Sequence, residues 1–143
     1  NLEFKLVNRL TRGTSMLLPD DEVIRGSDGL NRRYFRTKFW LTEPETYGDL
    51  VFQPDALPEQ VHNRRLVAED RHRLLAYQSK EKPLFVGHYW CSGRPAPLTH
   101  NIACLDYSAV HGGRLVAYRI DEPGSLSADR MVWVDVQDKN RFD

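Results

Sequence analysis

The sequence predicts an α+β fold, and three observations support this prediction. The chain has 143 residues, which is the length of one domain that can bury a core of its own. Apolar residues recur at helical spacing over 2–12, and a helix is also expected over 59–79, where apolar residues stand among many charges. Short apolar runs follow in the last third and predict sheet strands, at 83–86, 102–105, 115–120 and 131–136.

The first 80 residues are expected to be irregular, with helices, loops and a few strands. The amphipathic helix over 2–12 ends at Gly13, a usual residue after a helix C-terminus. Ser27-Asp28-Gly29 predicts a tight turn within a hairpin. The aromatic run 34–41 predicts a strand, and a short strand is also expected at 50–52.

The last third of the chain is expected to hold the core strands. Its apolar runs are continuous rather than alternating, which predicts strands that are covered on both faces. Gly112-Gly113 indicates a turn before the third of these strands. We therefore predict a single domain over 1–143, with a variable region at 1–80 and core strands within 81–136.

Composition and charge exclude several classes of protein. Twenty basic and twenty acidic side chains leave no net charge, so we expect no binding of duplex nucleic acid. No apolar run is long enough to span a membrane. Cys91 and Cys104 are too few for a disulfide framework. These features predict a cytoplasmic protein.

His88 is the histidine whose position suggests chemistry. It follows Gly87 at the end of an apolar run, and side chains just past strand ends commonly face a crevice. A lone histidine at a strand end is nevertheless more often structural, and no His-x-His, His-Glu-x-x-His or Cys-x-x-Cys spacing accompanies it. The other four histidines are expected at the surface or in structural roles: His62, His72, His100 and His111.

Three elements around His88 occur in a distinctive order. Phe85-Val86-Gly87-His88 is followed by Ala103-Cys104-Leu105-Asp106-Tyr107-Ser108 and then by Gly112-Gly113-Arg114-Leu115. This order resembles the C-terminal part of calcineurin-like metallophosphoesterases, in the branch of bacterial Ser/Thr phosphatases and symmetrical diadenosine tetraphosphatases. The resemblance implies the C-terminal half of a metallophosphatase-type β-sandwich with flanking helices. It covers roughly residues 83–121, and a fainter similarity runs through 13–41.

The resemblance also implies an activity and a cofactor. The family hydrolyses phosphoesters or phosphoanhydrides with a water activated by two divalent metal ions, here Mn, Fe, Zn or Ni. His88 matches a metal ligand of that family. A ligating imidazole needs a partner on its other nitrogen, and Asp106 at the next strand end is a candidate for that role. The alternative is that Asp106 only closes a turn through an Asx-type hydrogen bond.

Most of the family's ligand motifs do not occur in this sequence. Gly-Asp-x-His-Gly, Gly-Asp-x-x-Asp-Arg-Gly and Gly-Asn-His-Glu are all absent, and no residue here is assigned a catalytic role. Tyr107-Ser108 stands where Thr-Gly is usual. Together with an N-terminus that lacks Met, this predicts a C-terminal fragment that is incomplete without the N-terminal half of the same protein.

The expected substrate is a phosphorylated small molecule, a dinucleotide or a phosphoprotein. Tyr89 and Trp90 follow His88 and can stack a nucleobase, although both are equally well explained as core aromatics. Arg36 belongs to a basic cluster that either faces phosphate or lies on a solvated strand face. The cluster consists of Arg32, Arg33, Arg36 and Lys38.

Two other functions compete with hydrolysis. The chain can be a non-catalytic binding or regulatory module in which His88 is structural. It can also be a domain that packs on a partner through an exposed apolar sheet face, because half of a sandwich leaves such a face uncovered.

Overall fold

The computed structural model describes residues 13–26, 29–52, 56–122 and 124–136. It divides the chain into two compact units, Asn1–Gln78 and Ser79–Asp143. Both contain small sheets, and short helical segments accompany them, so the α+β prediction is confirmed at this coarse level. The helix predicted over 2–12 lies outside the described residues.

Two antiparallel strand pairs shape the first unit. Strand β1 (Ser15–Leu17) pairs with β4 (Tyr34–Arg36), and β2 (Ile24–Arg25) pairs with β3 (Asn31–Arg32). The β2–β3 pair is the hairpin that the turn residues predict, although Ser27 and Asp28 themselves lie outside the described residues. The strand predicted over 34–41 is shorter than expected, because the chain turns soon after Arg36.

The helices of the first unit are short. They are α1 (Tyr47–Leu50), α2 (Glu59–His62) and α3 (Ala68–Arg73). A capping box starts α1: Thr46 accepts from the N–H of Asp49, whose carboxylate accepts from the N–H of Thr46. The short strand expected at 50–52 is found only in part: Leu50 ends a helix, and Val51 forms an isolated antiparallel bridge with Thr37.

The helix predicted over 59–79 is divided into α2 and α3. Between them Arg65 forms an isolated β-bridge with Thr46, and the N–H of Leu66 donates to the carbonyl of Glu45 at 2.8 Å. These long-range backbone bonds replace helical ones. They hold the segment against the start of α1, so Leu66 enters the core of this unit. That core consists of Met16, Leu18, Ile24, Phe35, Tyr47, Leu50, Val61 and Leu66.

The second unit contains two sheets. Strands β5 (Leu84–Val86) and β6 (Ile102–Cys104) are parallel. Strands β7 (Asp106–Tyr107), β8 (Arg114–Tyr118) and β9 (Met131–Asp135) form an antiparallel sheet in that order. The four predicted strands are thus confirmed, and β7 is an additional one.

Burial differs between the strands of the second unit. All three residues of β6 are fully buried, as a continuous apolar run predicts. Strands β8 and β9 alternate instead, and Leu115 and Val134 face each other in register with more than 60% of their surfaces exposed. The expectation that every strand is covered on both faces is therefore wrong for β8 and β9 in this structure. Among the described residues, no helix has the length and apolarity needed to cross a bilayer.

Candidate functional site

The parallel pair β5–β6 brings His88 and Asp106 to one edge of the second unit. Val86 lies opposite Cys104 in the register, and the N–H of Leu105 donates to the carbonyl of Val86 at 2.9 Å. His88 comes two residues after β5 and Asp106 comes two residues after β6. Because parallel strands end at the same edge of a sheet, both residues lie just past that edge, His88 in a loop and Asp106 at the start of β7.

The carboxylate of Asp106 binds the backbone of two loops. Its Oδ2 accepts from the N–H of His88 at 2.9 Å, and its Oδ1 accepts from the N–H of Ser108 at 3.0 Å. The Ser108 contact is the Asx-type turn foreseen as the alternative role of Asp106. The His88 contact fixes the backbone that carries the imidazole. A hydrogen bond from Asp106 to the imidazole ring stays a prediction.

The loop after β5 has an unusual backbone. His88 has φ of 65° and Trp90 has φ of 41°, in the left-handed region that costs a non-glycine residue about 1–2 kcal/mol. Tyr89, between them, is fully buried, whereas Trp90 is 45% exposed. Burial of Tyr89 agrees with a core aromatic rather than with a wall of an open cleft. Trp90 keeps the exposure that stacking on a substrate requires.

His111 joins the same surface, although sequence reasoning gave it no role. The ring centroids of His88 and Trp90 are 5.9 Å apart, and those of Trp90 and His111 are 6.5 Å apart, both with nearly perpendicular planes. The only signal in the sequence is that His111 immediately precedes the glycine turn. We call His88, Trp90 and His111 the imidazole–indole surface.

The glycine turn is tied to the Asp106 loop. The N–H of Gly113 donates to the carbonyl of Ser108 at 3.0 Å, and Gly112 has φ of 78°. A Cβ on Gly113 would overlap the carbonyl oxygen of Tyr107. Both positions therefore require glycine, one for its φ and the other for a close backbone approach.

Gly87 is different, because it is open. Among the described residues other than its chain neighbours, nothing lies within 4 Å of the place where its Cβ would be.

Arg36 lies in the first unit, within β4, whereas His88, Asp106, Tyr89 and Trp90 all lie in the second. Within the basic cluster, Arg33 forms an ion pair with Asp21, and Nζ of Lys38 donates to the carbonyl of Asp49 at 3.1 Å. These partners favour a structural use of part of the cluster. Binding of substrate by Arg36 stays a prediction.

The described residues do not by themselves fit a two-metal centre. In the part of the chain that the structure describes, no three His, Cys, Asp or Glu side chains lie close enough together to hold a metal ion. His88 can contribute one ligand, and any others have to come from residues elsewhere.

A shallow cavity of about 430 Å³ lies in the first unit instead. It is lined by residues 41–45 together with Arg71, Leu74 and Ala76. Arg71 already donates to the carbonyls of Pro44 at 3.0 Å and Glu45 at 3.3 Å, so its guanidinium stabilises the backbone that lines the cavity. The cavity offers no cluster of reactive side chains.

Comparisons with known proteins found no matching family model, no matching curated protein and no matching solved structure.

Proposed function

We propose that the protein containing this chain hydrolyses phosphoesters or phosphoanhydrides in a metal-dependent reaction, with His88 as one metal ligand. One observation carries this proposal. The Gly-His element lies eighteen residues before Asp106 and the Gly-Gly turn follows shortly after it, and hydrogen bonds through Asp106 and Ser108 join all three into one loop cluster. This arrangement supports the proposal, because a site needs its side chains on a fixed backbone.

The residues of this chain position the histidine. Asp106 holds the N–H of His88, and the rigid β5–β6 pair holds Asp106. The left-handed φ of His88 turns the chain so that Tyr89 is directed into the core while Trp90 stays exposed beside the imidazole. The proposed substrates are those the sequence suggests: a phosphorylated small molecule, a dinucleotide or a phosphoprotein. Trp90 offers a stacking surface for a nucleobase, and Arg36 a cation for phosphate.

The remaining metal ligands are proposed to come from an N-terminal half of the same protein. The exposed face of β8 and β9 supports this arrangement, because Leu115 and Val134 are apolar side chains that a second layer would cover. The complete protein would then be a β-sandwich with flanking helices. Free thiols at Cys91 and Cys104 agree with the cytoplasmic location that we propose.

A non-catalytic module is the competing function. The observation that favours it is the lack of a three-residue ligand cluster among the described residues. In that case His88 serves only the loop structure, and the imidazole–indole surface binds a ligand without turning it over.

The test is made on the protein extended by the residues encoded upstream of Asn1. The proposal predicts Gly-Asp-x-His-Gly and Gly-Asn-His-Glu in that sequence, and Mn²⁺-dependent hydrolysis of an aryl phosphate. His88→Ala is expected to lower kcat/KM by about a hundredfold or more, because a ligand is lost.

His72→Ala is the matched control, since His72 is an exposed histidine in α3 of the first unit. It is expected to leave turnover unchanged. Full activity of the His88→Ala protein would remove His88 from the metal site, and upstream residues without those motifs would favour the non-catalytic module.

A further inference from the structure

Cys91 and Cys104 meet at a single backbone carbonyl in the second unit. The N–H of Cys91 donates to the carbonyl of Asp106 at 2.9 Å, and the Sγ of Cys104 lies 3.7 Å from the same oxygen. Both cysteines therefore lie against one backbone oxygen. The β5–β6 pairing thus brings together two cysteines that are thirteen positions apart in the sequence.

The two cysteines differ in access to solvent. Cys104 is fully buried at the end of β6, whereas Cys91 is only partly buried and packs against the core around Ala103 and Tyr107. A small oxidant can therefore reach Cys91 first. Cys104 is held beside it as the group that can react next.

The two thiols also differ in acidity. The pKa of Cys104 is lowered, chiefly because the thiol of Cys91 can donate to it, with help from the backbone of Asp106 and Tyr89. The pKa of Cys91 is raised, because it is the donor and because it is buried. Cys104 is therefore the sulfur that can accept a proton when Cys91 reacts.

We propose that Cys91 and Cys104 form a reversible disulfide when a peroxide oxidises the pair, and that this bond fixes the loop that carries His88. A disulfide requires the two sulfurs to lie about 2.05 Å apart, and both cysteines already contact the carbonyl oxygen of Asp106. Cys91 lies three residues after His88, and Asp106 binds the backbone of both. A covalent bond to β6 therefore adds a second attachment to that loop. The proposal does not depend on the hydrolytic function.

The Cys104 thiolate accepts the proton of Cys91 while the sulfur of Cys91 attacks one peroxide oxygen, forms a sulfenic acid and releases hydroxide. That hydroxide takes the proton of Cys104 and becomes water. The Cys104 thiolate then attacks the Cys91 sulfur and displaces a second hydroxide, which a solvent proton converts to water. Overall, two thiols and hydrogen peroxide give one disulfide and two waters, and two electrons pass from sulfur to oxygen.

The experiment uses the reduced 143-residue chain and hydrogen peroxide, followed by alkylation of free thiols in denaturant and digestion with trypsin. Lys82 and Arg94 both precede proline and resist cleavage, so Cys91 and Cys104 remain in one peptide, 81–114. The expected result is that this peptide loses two hydrogens and accepts no alkyl group. Dithiothreitol should restore two alkylation sites.

Two further readouts test the order of events and the effect on the loop. In Cys91→Ser the buried Cys104 should be oxidised about tenfold more slowly than the wild-type pair. In the oxidised wild-type chain the backbone N–H of His88 should exchange with solvent at least about threefold more slowly. Independent addition of oxygen to each sulfur, a disulfide between two chains, or unchanged exchange at His88 would overturn the proposal. The first two outcomes are read from the wild-type chain, whether or not a variant folds.

Discussion

The two units of the chain use charged side chains for different purposes. In the first unit, charged side chains form hydrogen bonds with the irregular backbone around an aromatic and aliphatic core. Arg71 donates to the carbonyls of Pro44 and Glu45, and Asp49 caps α1. In the second, the carboxylate of Asp106 binds the backbone of a loop that carries the half-buried imidazole of His88 and the exposed indole of Trp90. The first pattern stabilises a fold, whereas the second presents particular side chains on a fixed backbone.

Backbone strain shows the same difference. Among the described residues of the first unit, the non-glycine residues with positive φ are Asp20 and Asp21, a residue type that tolerates this conformation. In the second unit they are His88, Trp90 and Ser108, and Trp90 is a bulky residue for which this conformation is unfavourable. Strained backbone at residues with chemically useful side chains is typical of functional sites. This difference supports a site in the second unit on grounds independent of the family resemblance.

The largest expected effect comes from adding one methyl group to a glycine in each unit. Gly113→Ala should lower the free energy of unfolding by about 3 kcal/mol or more, because the new Cβ overlaps the backbone oxygen of Tyr107. In Gly48→Ala the new Cβ would lie 2.5 Å from the ring of His62, an exposed side chain that can rotate away. That cost should stay under about 1 kcal/mol.

Urea unfolding of both variants measures the difference directly. Equal decreases in the free energy of unfolding would mean that the Gly112–Gly113 turn is no more rigid than the start of α1. That result would contradict the conclusion that the backbone around Asp106 is preorganised.

A middle-sized effect is expected in the core of the first unit. The hydroxyl of the fully buried Tyr47 donates to Asp70 at 2.6 Å, and burial together with this hydrogen bond raises the pKa of Tyr47 to about 12. Because the folded pKa lies above its ordinary value near 10, the contribution to stability is complete below pH 10 and is lost between pH 10 and 12. Tyr47→Phe should lower the free energy of unfolding by about 1.5 kcal/mol at neutral pH.

Tyr47→Phe should also remove the loss of stability between pH 10 and 12 that comes from ionisation of Tyr47, as urea unfolding below and above pH 10 would show. Tyr34→Phe is the control, because Tyr34 is 59% exposed, and it should change stability by less than about 0.5 kcal/mol. An unchanged alkaline profile in Tyr47→Phe would show that the Tyr47–Asp70 hydrogen bond does not stabilise this unit.

The strands of the second unit could be predicted from sequence because each is encoded locally. The apolar runs at 83–86 and 131–136 lie between turn residues and carry Val, Phe or Trp, which favour strands. The single helix predicted over 59–79 is wrong for the opposite reason. Apolar residues among many charges favour one helix there, but backbone hydrogen bonds from Arg65 and Leu66 to a distant segment divide it.

The candidate site was only partly predictable for the same reason. His88 and Asp106 could be selected because each follows a recognisable strand. The contact of Trp90 with His111 and the meeting of Cys91 with Cys104 depend on which strands pair, and a single sequence does not show that pairing. The exposure of Leu115 could not be predicted either, because a continuous apolar run in the sequence does not show whether one face of the strand or both faces are covered.

The smallest expected effect isolates the backbone strain at Trp90. Trp90→Gly and Trp90→Ala both remove the indole and its contacts with His88 and His111. They differ at a backbone with φ of 41°, which glycine adopts freely and alanine does not. Trp90→Gly should therefore be more stable than Trp90→Ala by about 1 kcal/mol in urea unfolding.

Val110 gives the matched control, because it is 91% exposed and is not among the residues with positive φ. There the order should reverse, since alanine restricts the unfolded chain more than glycine does. If glycine were not favoured at Trp90, the left-handed backbone would cost nothing and strain would no longer distinguish the two units. A preference for glycine at position 90 but not at position 110 would show that the native tryptophan lowers the stability of its own backbone. The exposed position of Trp90 beside His88 would then require an explanation other than the stability of the fold.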